Sequence, residues 1–252
     1  MMFVADFAHA RKKVTKDALV REVNDGLASI MNSMARHVRS GADVADLELR
    51  FFRGCYERHL YPSMLGMDGF PRSCSISVND EVCHCLPYPC MLKDGDIVTL
   101  DGCTFNGLHS DRADTYCIGK VSGEHKRLVD TARDAMWAGI AVCKPGMPYN
   151  RIGEAVSKVV HENGFVVIER FTGHGIGKEL HMEPPVYNYT NGVTRKMKVG
   201  DMLAVEPLVT IGCGKVRAHR DGFGYSTRNG KYAAHFERTV RITEDGYEVL
   251  NG

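Results

Sequence analysis

Residues 92–115 read LKDGDIVTLDGCTFNGLHSDRADT, and this stretch decides the fold. Lys93-Asp94-Gly95-Asp96 is a turn that feeds the strand-forming run Ile97-Val98-Thr99-Leu100, which ends on Asp101. Phe105-Asn106-Gly107 turns the chain back, and a return strand carries Asp111 on its way to Gly119. The stretch is a β-hairpin with an acid at each end. A weaker copy of its first half returns at 197–209 as MKVGDMLAVEPLV, with Glu206 in the place of Asp101. Gly41 and Gly146, Gly95 and Gly200, Asp96 and Asp201, and Asp101 and Glu206 all lie 105 residues apart. Chance could match one such pair. Four with one offset imply an internal duplication whose halves each offer carboxylates to a central site.

Outward from the hairpin, the pattern helix–Gly–helix–strands occurs twice. Leu19, Val23, Leu27, Ile30, Met34 and Val38 step at helical spacing from Thr15 to about Ser40. Gly41 is read as the C-cap of that helix. Asp43 caps a second helix to about His59. Residues 61–72 are broken by Pro62, Gly66, Gly69 and Pro71 and form a loop, in which Met64, Met67 and Phe70 recur at three-residue steps. They are either core under a loop or the wall of a pocket. Ser73–Asn79 is a strand. In the second copy, helices are predicted over 124–143 and 150–163. Strands are predicted at 165–171, 202–209, 234–242 and 247–250. The class is α+β, one domain over residues 1–252, with halves at about 15–120 and 124–252.

The bulk numbers exclude several classes of function. The chain has 252 residues, 44% hydrophobic and 25% charged, with a net charge of +1. That gives no global field for nucleic acid or an anionic membrane. The basic cluster Arg11-Lys12-Lys13 reads as a solvated helix entrance. No apolar run approaches the ~18–20 residues of a membrane span. The first residues lack a secretory apolar core, and Asp6 counts against a transit peptide. The expected location is the cytoplasm. Nine cysteines without a disulfide framework fit reduced thiols. Cys83-His84-Cys85, with Cys90 nearby, lacks the paired C-x2-C spacing of a structural zinc site.

Carboxylates embedded in apolar strands are costly unless paired or bound to a cation. Asp101, Glu206 and Glu237 all end or interrupt such runs. One of them alone would more often point outward or pair locally, as Glu237 could with Arg238. Several in a duplicated scaffold favour a shared metal. Gly173-His174-Gly175-Ile176-Gly177 lacks the spacing of a dinucleotide fingerprint. Its glycines are read as allowing close approach to a ligand, with His174 as a metal ligand or catalytic group and His181 seven residues on.

From about residue 15 to the end, the chain resembles type I methionine aminopeptidases of the pita-bread metallopeptidase fold. The resemblance is carried, in order, by SISVNDEVCH, LKDGDIVTLD, GLHSD, TGHGIG followed by His181, Ala204-Val205-Glu206-Pro207, and HFERT. It implies a pseudo-twofold arrangement around a central antiparallel sheet. By resemblance the metal ligands are Asp101, Asp111, His174, Glu206 and Glu237, holding two divalent ions. One histidine among oxygen donors suits Mn, Fe, Co or Zn alike. Asp101 would be bidentate on one metal, Asp111 and Glu237 would bridge, and His174 and Glu206 would complete the other. Asp114 rivals Asp111; Asp111 is preferred because GLHSD aligns without a gap to the family's Gly-x-His-Gly-Asp.

The implied activity is release of initiator methionine from nascent polypeptides. Two ions about 3.5–4 Å apart acidify a shared water. Glu206 shuttles the proton, while His84 and His181 stabilise the intermediate and place the amide. The methionine pocket would comprise Met64, Met67, Phe70, Ser75, His84, Leu180 and Phe223. Several positions depart from the family. Cys85 stands where glycine is usual, crowding the loop beside His84. Arg238 replaces a common histidine after the last ligand, and the hairpin is shortened by one residue. Met67, Leu180 and Phe223 stand where relatives more often place Tyr, Phe or Tyr, and Trp. The expected enzyme is a monomer with transient ribosome contact and no membrane or nucleic-acid partner. Two alternatives are a related aminopeptidase with a shifted first-residue preference and a non-catalytic binding protein on the same fold.

Overall fold

Thr15 starts the first helix, its hydroxyl accepting the Ala18 N–H at 3.3 Å. A computed structural model describes residues 15–252; the Arg11-Lys12-Lys13 cluster and Asp6 lie outside that range. Helix α1 (Lys16–Ala35) buries Val23, Leu27, Ile30 and Met34 of the predicted face and adds Val20, while Leu19 and Val38 are half-buried. It ends before Ser40 because the His37 and Val38 amides turn back onto Met34 and Ala35. Gly41 is therefore not its C-cap. Gly41 stands at φ +81° and donates its N–H to Leu92 O at 2.8 Å. Asp43 does cap α2 (Val44–Glu57), accepting from Ala45 N at 3.1 Å.

The strands of the first half follow in order. They are β1 (Tyr61–Pro62), β2 (Ser75–Val78), β3 (Glu81–Cys83), β4 (Ile97–Phe105) and β5 (His109–Cys117). The loop before β2 contains one 3-10 turn, Met67–Gly69. Strands β4 and β5 pair along their full nine residues, as the hairpin reading requires.

The second half begins with α3 (Gly123–Ala141), capped by Ser122, and α4 (Asn150–Glu162). Its strands are β6 (Val166–Val167), β7 (Gly173–Gly175), β8 (Met182–Val186), β9 (Met202–Val205) and β10 (Leu208–Thr210). Then come β11 (Val216–Ala218), β12 (Tyr225–Thr227), β13 (Ala233–His235), β14 (Glu237–Ile242) and β15 (Tyr247–Val249). Three predicted strands are corrected. The 202–209 run breaks at Glu206-Pro207, since proline has no N–H for a ladder. The 234–242 run breaks at Phe236. In both cases the chain leaves one sheet for another: β10 pairs with β13 and β6 instead. Of 165–171 only Val166 and Val167 form a strand, because only they find places beside β10.

Among the described residues the main sheet has nine strands in the order β1-β4-β5-β14-β9-β7-β8, with β2 on β4 and β15 on β14. The β5–β14 pairing, Glu237 opposite Ala113, joins the two halves. Helices cover one face. A Cβ on Gly102 would lie 2.4 Å from the Phe51 ring of α2, and one on Gly139 of α3 would lie 3.3 Å from Val205. Both contacts fall on the face opposite Asp101 and Ala204, so the other face is left for the acids.

The 105-residue offset extends to individual hydrogen bonds. Gly146 N–H bonds Met197 O at 2.9 Å, as Gly41 bonds Leu92. Asp96 and Asp201 each accept, at 2.8 Å, from the amide three residues before, Lys93 and Lys198. Isolated bridges join Asp43 to Met91 and Pro148 to Lys196. The pseudo-repeat is thus real in the backbone. No described helix is long and apolar enough to cross a membrane.

Candidate metal centre

Strand register puts the acids together. In β4–β5, Asp101 faces Ala113 and Cys103 faces Asp111. Directly paired residues share a face, and residues two apart share it too. Asp101, Cys103 and Asp111 therefore point the same way. Glu237 joins them through Ala113. Ala204 pairs with both Thr239 and His174, which brings Glu206 and His174 to that face. All five expected ligands converge from five strands or strand ends.

Asp114 lies on the other face, opposite Leu100. There Arg112 Nε and Arg238 Nη2 each bind its carboxylate at 2.7 Å. The rivalry between Asp111 and Asp114 is thereby explained by the pleat. It also accounts for Arg238, which grips Asp114 and donates to the Ala113 and Glu237 carbonyls.

Backbone hydrogen bonds fix two of the expected ligands, Asp111 and Glu206. Asp111 exchanges two hydrogen bonds with Thr239 Oγ1, at 3.0 and 2.9 Å, and its carbonyl accepts from Asn251 Nδ2 at 2.6 Å. Asn188 Nδ2 donates to the Glu206 carbonyl at 3.0 Å, where β9 has ended. Gly173 and Gly175 allow β7 to press against its neighbours. A Cβ on either would meet Ala204 O at 2.2 Å or Glu183 O at 2.5 Å. They serve strand packing, and the first three residues of the segment are themselves a strand.

His174 Nδ1 donates to Gly175 O at 2.9 Å, which leaves Nε2 with its lone pair. That lone pair faces Glu206 Oε1 at 3.3 Å and Asp111 Oδ2 at 3.8 Å. An acceptor aimed at two carboxylates repels them unless a cation or proton lies between. Burial, then the carboxylate of Asp111, pushes Asp101 from 3.8 up to about 8. Asp111 rises to about 7, chiefly by burial. Glu206 and Glu237 stand well above the usual carboxylate range for the same leading reason. Burial lowers His174 to about 4, so its ring stays neutral. Glu237 Oε1 and both ring nitrogens of His235 are buried without a hydrogen-bond partner. Orphaned acceptors, a neutral imidazole and crowded acids are a donor set that fits divalent cations.

The centre lines a cavity of about 240 Å³. Met64, Met67, Phe70, His84, Leu180, His181 and Phe223 also line it, as expected. Ser75 does not. It is fully buried on β2 opposite Asp101, its hydroxyl unpartnered. The Phe70 and Phe223 rings meet edge to face at 5.4 Å, and His181 lies edge-on to His174 at 4.6 Å. His84 is exposed in the cavity at φ +55°, 5.7 Å from Phe171. Cys83 lines the cavity and Cys85, on the far side of His84, does not.

Sequence reasoning missed Cys103, whose Sγ meets Asp111 Oδ1 at 2.8 Å. It also missed His235, 3.6 Å from Glu206 Oε2. The signal for Cys103 was its place two residues from Asp101 on one strand. His235 stands two before Glu237, but the break at Phe236 hides the shared direction. Asp68, Phe171 and Tyr225 complete the walls from loops and a separate sheet, with no sequence signal.

Residues 18–244 match the family described as metallopeptidase family M24. Methionine aminopeptidase 1 of Bacillus subtilis (strain 168) is 34% identical over 236 residues, covering 92% of this chain and 94% of the relative. A methionine aminopeptidase of Clostridium perfringens is 37% identical over 235 residues, with the same coverage of 92% and 94%. The crystal structure of the Thermotoga maritima methionine aminopeptidase superposes with a TM-score of 0.91 at 31% identity, covering 95% of this chain and 98% of that one. Prolidase from Pyrococcus furiosus, at 17% identity and a TM-score of 0.74, covering 94% of this chain and 64% of that one, shares the fold alone. The fold is the α+β pita-bread architecture, as expected from the sequence.

Proposed function

The chain belongs to metallopeptidase family M24, and we propose that it is a methionyl aminopeptidase whose two divalent ions sit among Asp101, Asp111, His174, Glu206 and Glu237. The observation that carries this reading is the convergence of four carboxylates and one lone-pair-bearing His174 Nε2 at an apolar cavity. Four carboxylates and a neutral imidazole are balanced in charge by two divalent cations. When bound, such ions supply Lewis acidity, lowering the pKa of water and polarising a carbonyl oxygen.

The remaining work falls to side chains. Glu206 has one oxygen toward His174 and the other toward His235, which supports its use as the base that takes the attacking water's proton and returns it to the leaving amine. His84 and His181 line the same cavity and donate hydrogen bonds to the developing oxyanion and the scissile amide. The first side chain enters among Met64, Phe70 and Leu180, all buried, with Met67 and Phe223 packed beside them. A thioether suits that pocket, because sulfur packs well at aromatic edges. The substrates are nascent polypeptide N-termini, met in the cytoplasm by a monomer in transient contact with the ribosome.

The test is a peptide panel differing only at the first residue, assayed with protein stripped of metal and reloaded with Mn, Co, Fe or Zn. Release of methionine is expected. Equal turnover of Met, Leu and Ala would leave the chemistry and remove the preference. No turnover with any metal would overturn the reading.

A further inference from the structure

A second group of metal-ligating residues lies outside the cavity. Glu81, Cys85 and His219 each bring one donor atom within 4.8 Å of the others. Glu81 opens β3, Cys85 follows it, and His219 follows β11; β12 pairs with both strands in one small sheet. The left-handed His84, at φ +55°, separates the two neighbouring thiols. Cys83 lines the cavity, whereas Cys85 Sγ is buried near Cys83 O at 3.4 Å and Tyr225 O at 3.6 Å.

The donors are already oriented. Glu81 Oε2 accepts the Val78 N–H at 2.8 Å, which fixes the carboxylate. The His219 backbone N–H bonds Gly224 O at 2.7 Å, and its ring Nε2 meets Ser226 Oγ at 2.7 Å. A Cβ on Gly224 would lie 2.5 Å from Nδ1, so glycine there leaves the imidazole room. Asp221 Oδ2 lies 4.0 Å from His219 Nδ1 on the same turn. Polar partners that fix the ligands in this way are what a metal site requires beyond the ligands themselves.

We infer that Glu81, Cys85 and His219 form a second, structural site for Zn²⁺, distinct from the catalytic centre. One thiolate, one imidazole and one carboxylate make a mixed donor set of the kind zinc takes tetrahedrally, whereas Mg²⁺ and Ca²⁺ prefer oxygen alone. Cys85 releases its thiol proton to solvent as the ion binds. The site clasps two walls of the cavity. Cys85 is next to His84, and His219 leads through Asp221 to Phe223, whose N–H is already held by Asp221 Oδ1 at 2.9 Å. The local cysteine cluster cannot make this site alone, because its partner His219 is distant in sequence.

The test is zinc content at saturation, measured on the full chain by mass spectrometry after gel filtration. Wild type should hold about one more equivalent per chain than either Cys85→Ser or His219→Gln, as expected for one added tetrahedral site. Cobalt-loaded wild type should show a thiolate-to-cobalt charge-transfer band that Cys85→Ser loses and Cys103→Ser keeps. Equal zinc content in all three proteins, or a band that only Cys103→Ser abolishes, overturns the proposal. If Cys85→Ser fails to fold, His219→Gln, at a half-buried position, carries the comparison by itself.

Discussion

The two halves share one backbone plan and use it differently. In the first half, β4 and β5 run unbroken for nine residues each, and Asp101 and Asp111 sit inside continuous ladders. In the second, β9 stops at Val205 and β14 begins at Glu237. Glu206 stands where the chain leaves the sheet, before Pro207. The first half thus supplies acids fixed by the pleat. The second supplies acids at exits, and the departing chain builds the cavity wall through Leu208 and Tyr225. A duplicated scaffold can therefore provide both a rigid floor and an opening, provided one copy breaks where the other continues.

Removing an acid from each face of the first half tests whether the pleat separates metal binding from support. Asp111→Asn should lower peptide turnover by more than about 100-fold, since even outer partners of metal ligands act on that scale. Asp114→Asn should instead cost about 3–5 kcal/mol in urea melts, because Arg112 and Arg238 are left buried without their shared counter-ion. The opposite pattern would mean the face assignment is wrong.

Metal removal tests the meeting of the halves. Asp101 and Asp111 are raised from 3.8 to about 8 and about 7, so the metal-free folded state holds protons that the unfolded chain releases. Its stability should be greatest below about pH 4 as far as these two groups contribute, and should fall as pH rises through 7 to 8. A divalent ion at about 1,000 times its dissociation constant should restore about 4 kcal/mol at neutral pH. Thermal melts with and without chelator across pH measure this. A metal-free protein that gains stability over that range would contradict the crowded-acid account.

Smaller substitutions sharpen the comparison further. Gly173→Ala drives a Cβ to 2.2 Å from Ala204 O and should cost about 1–3 kcal/mol while loosening His174, read by melts and metal affinity. His59 and Gly164 occupy matching left-handed positions 105 residues apart, at φ +55° and +79°. Gly164→Ala should destabilise the second half by about 1 kcal/mol, more than His59→Ala destabilises the first, because only the glycine site goes from an unstrained to a strained residue. Equal effects of both would deny the equivalence.

Much of this was legible in the sequence because period-two alternation and glycine positions are local. The hairpin, Asp43 as a helix cap, and the 105-residue repeat needed no tertiary knowledge. The expected ligand set came through family resemblance. The missed features are non-local. Whether 202–209 is one strand or two depends on where β10 finds a partner after Pro207. Asn251, near the chain end, holds Asp111 from 140 residues away. Arg238 made sense only once Asp114 was seen beside it. Ser75, expected in the pocket by resemblance, is instead fully buried beside Asp101, where β2 pairs with β4.

The central claim is that both halves grip the same pair of divalent ions. Anomalous scattering from crystals of manganese-loaded protein tests it most directly. The account predicts two peaks about 3.5–4 Å apart, both within bonding distance of Asp111 and Glu237, one beside Asp101 and the other beside His174 and Glu206. Peaks touching one half alone, or a peak at Asp114, would contradict it.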